Sequence, residues 1–73
     1  MQQIPTSSSL IVSASYDEQQ QVLTVTFKSG ASWAYGDASQ PFTQSDADMF
    51  TGAVSKGKWF LEQIKDSFPA RRV

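Results

Sequence analysis

Lys56-Gly57-Lys58-Trp59 is the stretch whose residue types and spacing best suit binding chemistry. Two lysines flank a glycine where a helix is expected to start. Amides at a helix start attract anions, and lysines there strengthen the attraction. The same lysines oppose the helix dipole at that end, so an unfavourable choice points to a binding purpose. The plainer reading is that Gly57 allows close packing and the lysines are solvated. Trp59 suits an interface anchor, because tryptophan is enriched among residues that carry binding energy. It equally suits packing at a sheet edge.

The other candidates are weaker. Asp46-x-Asp48 offers two carboxylates to a divalent cation, but lacks the glycine and closing glutamate of a calcium loop. Helix capping is the better account of both. Asp17-Glu18 fits turn chemistry. Trp33 and Tyr35 share one strand face and can stack on bases, as on sheets that bind single strands, or cover the core beside Phe27. Arg71-Arg72, after Pro69, suits a phosphate or an acidic partner, or a solvated tail. Ser7, Ser8 and Ser9 precede a strand edge to which a partner strand could add.

The chain holds neither cysteine nor histidine. That excludes disulfides, thiol nucleophiles, zinc-thiolate sites and the Ser-His-Asp and Cys-His constellations. The commonest general base and metal ligand are missing too. With 73 residues there is room for one domain and one small core. A binding module is expected rather than an enzyme, without a cofactor or metal. The start, MQQIPTSSSL, has neither the basic segment nor the apolar run of a signal peptide. No window approaches the ~20 apolar residues of a membrane span. Lack of cysteine suits a cytoplasmic protein.

Charge is unevenly spread. Asp17, Glu18 and Lys28 give −1 over residues 1–36, and Asp37, Asp46 and Asp48 give −3 over 37–54. Lys56, Lys58, Lys65, Arg71 and Arg72 against Glu62 and Asp66 give +3 over 55–73, closing at −1. An acidic middle beside a basic last third suits a macromolecular partner of mixed sign rather than a nucleic-acid stripe.

The elements that must position these groups follow from periodicity. Residues 1–8 read as an extended, mobile lead-in. Residues 9–16 alternate, with Leu10, Val12, Ala14 and Tyr16 on one face and Ile11, Ser13 and Ser15 on the other. After the DEQQQ turn, Leu23, Val25 and Phe27 share a face of a second strand. Ser29-Gly30 marks a tight turn, and Ala31 to Tyr35 form a third strand. The GDASQPF loop follows. A first helix is capped by Thr43 or Ser45, with Ser45 and Asp48 at capping-box spacing, and buries Ala47, Phe50 and Val54. A second helix, capped by Ser55, runs to Asp66 or Phe68 and buries Phe60, Leu61, Ile64 and Phe68. Residues 69–73 read as a free basic tail. The predicted fold is α+β: a three-stranded antiparallel sheet with two helices packed on one face. Its core is Ile11 or its strand neighbours, Leu23, Val25, Phe27, Phe50, Phe60 and Ile64.

The order Ser8-Ser9, Ile11, Ala14, Tyr16-Asp17, Leu23, Val25, Phe27, Gly30, Trp33-Ala34-Tyr35, Ala53, Ser55, Gly57, Phe60 and Ile64 resembles the KTSC domain over about residues 8–65. That family is named from the C-termini of some lysyl-tRNA synthetases and also occurs as free-standing bacterial and phage proteins. Trp33 stands where the family usually has tyrosine, the usual Val-Pro after this motif is missing, and the loop that follows is longer than usual. The sequence also resembles small phage transcription regulators. That likeness implies a non-enzymatic, monomeric partner of the large subunits of bacterial RNA polymerase. Such a protein inhibits sigma-dependent initiation, promotes antitermination and works in the host-cell cytoplasm. The contacts expected on this reading are Ser7 to Ser9, Lys56, Lys58 and Trp59, and Arg71-Arg72. The alternative is a small RNA-binding module using Trp33, Tyr35 and the basic residues.

Overall fold

The computed structural model describes residues 2–4, 9–65 and 67–73. Five strands form one antiparallel sheet in sequence order: β1 Gln2–Ile4, β2 Ile11–Asp17, β3 Val22–Phe27, β4 Ser32–Tyr35 and β5 Ala70–Arg72. Between β4 and β5 lie α1, Gln44–Thr51, and α2, Lys56–Trp59, which runs directly into a π-helical turn over Phe60–Ile64. The fold is α+β, as the periodicity predicts, but the sheet has five strands rather than three.

Both extra strands are short and terminal. Gln2–Ile4 is not a loose lead-in: it pairs with β2, placing Ile4 opposite Ala14 and Gln2 opposite Tyr16. Ile4 is buried, and burying an isoleucine contributes about 1.5–3 kcal/mol, enough to offset much of the cost of ordering three residues. The Gln44 side-chain amide also donates to Gln2 Oε1 at 3.1 Å, tying β1 to α1. At the other end Arg71 and Arg72 are in a strand, not a free tail. Trp33 lies opposite Arg72, and Tyr35 opposite Ala70. The amides of Gly36 and Val73 extend this pairing to the carbonyls of Pro69 and Ser32.

The core lies between one sheet face and the helices. Simple alternation assigns Ile11 to the face opposite Ala14 and Tyr16, yet all three are buried. The reason is a register shift between Ile11 and Ser13: Ile11 faces Phe27 while Ser13 faces Thr26. The extra residue, Val12, reverses the parity of everything before it, as a β-bulge must. On β3 the predicted Leu23 and Val25 are wholly buried, with Phe27 packed beside them.

The α1 N-terminus is capped by Thr43, with Asp46 completing the box; the Ser45–Asp48 pairing does not form. The Asp46 amide donates to Thr43 Oγ1 at 3.2 Å, and Asp46 Oδ2 accepts from the Thr43 amide at 3.1 Å. Phe42, just before the cap, is fully buried, as is Ala47 four residues into the helix. This is the spacing of a hydrophobic staple. Phe42 lies 5.9 Å from Tyr16 and 5.0 Å from Phe68 between ring centroids, so it fixes the GDASQPF loop against the core. Ser55 holds the cap position of α2, but its side chain makes no capping bond. The second helix is also not uniform, because the Lys65 amide donates to the Phe60 carbonyl five residues back, at 3.0 Å.

Candidate partner-binding surface

Trp59 is positioned by Phe50. Their rings stack with centroids 5.5 Å apart and planes at 29°, joining α2 to α1. Trp59 stays half-buried, so part of the indole remains at the surface. Gly57 is buried, which fits the close-packing reading of that glycine. Lys58 is exposed and lies 3.9 Å from Glu62, one turn on. At such exposure a pair of this kind contributes little to stability. Lys56 is half-buried.

Val54 is where structure and periodicity part. It is expected to continue the buried stripe of α1, but α1 ends at Thr51 with Gly52 at the C-cap, so Val54 falls past the last turn. It projects entirely into solvent, at 107% of its reference exposure. A shallow cavity of about 380 Å³ runs beside it, lined by Val54, Ser55, Lys58, Trp59 and Glu62 among others. A bare branched side chain, an indole edge and two opposite charges therefore share one depression. Sequence reasoning missed Val54 as a surface residue, although Gly52 was a signal that the helix stops there.

The remaining candidates are dispersed. Ser7 and Ser8 lie outside the described residues, and Ser9 is exposed in the bend before β2. Arg71 and Arg72 are exposed on β5 and point to opposite faces of the sheet, since neighbours in a strand alternate. No hydrogen bond or ion pair joins them to Lys56, Lys58 or Trp59 among the described residues. Tyr35 keeps only 5% of its surface, with its ring edge-on to Phe60 at 5.1 Å. Burial raises its phenol pKa above the ordinary value. Trp33, on the same face, is half-buried and also faces the helical layer. Both side chains thus cover the core beside Phe27.

The carboxylates serve local structure. Asp17 accepts from the amides of Gln19 and Gln20 in the β2–β3 turn. Asp37 accepts from the Ser39 hydroxyl at 2.8 Å and from the Gln40 amide at 2.8 Å. These bonds, the Ser39 hydroxyl foremost, hold its pKa below the usual value, with Arg71 adding a smaller attraction. Asp48 accepts from the Gln44 side chain. Among the described residues no three carboxylates gather where they could hold a metal ion, and no helix is long and apolar enough to cross a membrane.

A sheet meander backed by two short helical segments, with its aromatic face turned inward, defines a small α+β domain. The family model for the KTSC domain matches residues 7–68, and the chain belongs to that family. It is similar to the crystal structure of a KTSC domain protein from Yersinia pestis. The two are 32% identical, the match covers 99% of this chain and 96% of that one, and the TM-score is 0.85. The likeness therefore takes in β1 and β5, which lie outside the family match. No curated protein matches the sequence.

Proposed function

We propose that this protein is a non-enzymatic module that binds a protein partner through the surface around Val54, Lys58 and Trp59, and that the partner is bacterial RNA polymerase. The observation that carries the binding surface is the full exposure of Val54 beside the half-buried Trp59. The half-exposed indole supports the reading, because tryptophan is enriched among residues that carry binding energy, and the bare Val54 beside it extends the apolar area offered to a partner. Trp59 is held by its stack on Phe50, so little rotamer freedom is lost on binding. Lys58 and Glu62 supply rim charges of both signs, which favour orientation and association rate more than raw affinity. The choice of polymerase rests on the resemblance to small phage transcription regulators, which also makes inhibition of sigma-dependent initiation and antitermination the expected outcomes.

The test is size-exclusion chromatography of the purified protein with core RNA polymerase at near-physiological salt, with a structured RNA in parallel. Comigration with the polymerase alone supports the reading. Val54→Asp should then weaken binding at least about tenfold, the loss typical of an interface anchor. The double charge reversal Lys56→Glu/Lys58→Glu should weaken it while leaving the circular dichroism spectrum unchanged. Comigration with the RNA alone overturns the reading in favour of an RNA-binding module. In that case log affinity should fall with log salt by ~0.7 per phosphate contacted.

A further inference from the structure

A second groove opens between the sheet and the other side of the same helical segment. Four aromatic residues line it: Phe27, Trp33, Tyr35 and Phe60. Its volume is about 420 Å³, within the ~300–1,000 Å³ range of small-molecule sites and ample for a two-ring compound. The aromatic floor is fixed before any ligand arrives. Phe60 meets Phe27 at 5.4 Å and Tyr35 at 5.1 Å, both edge to face. Such contacts hold ring orientation as well as burying area.

The rim has a different character. The π turn puts Leu61 and Lys65 at the groove, with Leu61 still 47% exposed. π turns are rare and recur at functional sites. Among the described residues Lys65 is the only charged one lining the groove, and none of them makes an ion pair with it. Arg72 pairs with Trp33 across the β4–β5 ladder, so it shares the sheet face on which Trp33 stands. An apolar, ring-lined groove with positive charge at its rim is complementary to a flat apolar body bearing one negative charge.

We propose that this groove is a binding site for a small aromatic monoanion, its ring against Phe27 and Trp33 and its anionic group toward Lys65. The site is separate from the Val54–Trp59 surface and does not depend on it. The backbone from Lys56 to Lys65 serves both: Lys58, Trp59 and Glu62 line one, Phe60, Leu61 and Lys65 the other.

The probe is 2-naphthoate, titrated into the isotopically labelled protein and followed by two-dimensional proton–nitrogen NMR. The two tryptophan indole N–H signals report the two surfaces separately. Saturable shifts are expected at the Trp33 indole and at the amides of Leu61, Lys65 and Ala70, with the Trp59 indole unmoved. Lys65→Glu should weaken binding at least about threefold, the scale of an exposed charge pair. The neutral analogue 2-naphthalenemethanol should bind more weakly by a similar factor. Ala70→Phe, at an exposed edge-strand position opposite Tyr35, should fill the groove and abolish the shifts. A dispersed spectrum from each variant shows that it is folded. No saturable shift at Trp33 up to millimolar probe, shifts centred on Trp59, or equal affinity for the charged and neutral probes would each overturn the proposal.

Discussion

The indole of Trp59 stacks on the ring of Phe50, 5.5 Å away and 29° from parallel. This contact ties the two helical segments together, because α2 is only four residues long and lacks a side-chain cap. A helix so short is not stable alone. Trp59→Ala should therefore destabilise the fold, by about 1–2 kcal/mol in urea denaturation. Trp59→Phe, which keeps a stacked ring, should cost less than half of that.

Gly36 makes the sharpest backbone prediction. Its φ is +104°, and a Cβ there would lie 2.8 Å from the Phe42 amide nitrogen and 2.9 Å from the Gln21 carbonyl oxygen. Those two atoms are hydrogen-bonded to each other at 2.9 Å, so neither can give way cheaply. Gly36→Ala should cost about 2–3 kcal/mol. Gly30 has a similar φ of +94° but open space around it, so Gly30→Ala should cost only about 1 kcal/mol. Chemical denaturation of the two variants side by side tests the order; equal losses would contradict the close approach at Gly36.

Deletion of residues 70–73 distinguishes a strand from a tail. It removes the β4–β5 ladder, including the bond from the Val73 amide to the Ser32 carbonyl. It also uncovers the edge beside Trp33 and Tyr35. The expected loss is about 1–3 kcal/mol, given about 0.5–1.5 kcal/mol net per hydrogen bond. Amide exchange at Ala34 and Gly36, whose N–H groups face β5, should quicken in the truncated protein. A free tail would change neither.

Asp37 sets a pH dependence. Its folded pKa lies below the ordinary 3.8, chiefly because the Ser39 hydroxyl bonds its carboxylate. Stability from a lowered pKa is fully present above the unfolded value and is lost as pH falls through the folded one. Thermal unfolding should therefore show a decline below pH ~4 that is shallower in Asp37→Asn. Ser39→Ala should flatten the decline in the same direction.

Much of this architecture was legible in the residues. Alternation at 22–28 and 31–35 placed Leu23, Val25 and Phe27 on one face of their strand and Trp33 and Tyr35 on one face of theirs, because a pleated strand leaves no other choice. The β3–β4 register puts the two sets on the same side of the sheet. The residue types also set the range of chemistry, since a chain without histidine or cysteine has no thiol or imidazole chemistry and leaves only carboxylates, lysines, tyrosines and hydroxyls. The family was legible as well, from the spacing of Tyr16-Asp17, Trp33-Ala34-Tyr35 and Gly57.

Tertiary structure decided the rest. Local pattern cannot reveal that Gln2–Ile4 and Ala70–Arg72 join the sheet, because three-residue strands carry almost no periodic signal and form only where a neighbour's edge is waiting. The bulge at Val12 shows only when β2 is laid against β3. Phe42 sits in a loop by sequence and in the core by contact with Tyr16 and Phe68. Val54 and Leu61, placed on buried stripes by spacing, lie at the surface because α1 stops at Thr51 and the second helix widens into a π turn. Where a helix ends and how wide it turns depend on what packs against it, and that is settled only when the whole chain comes together.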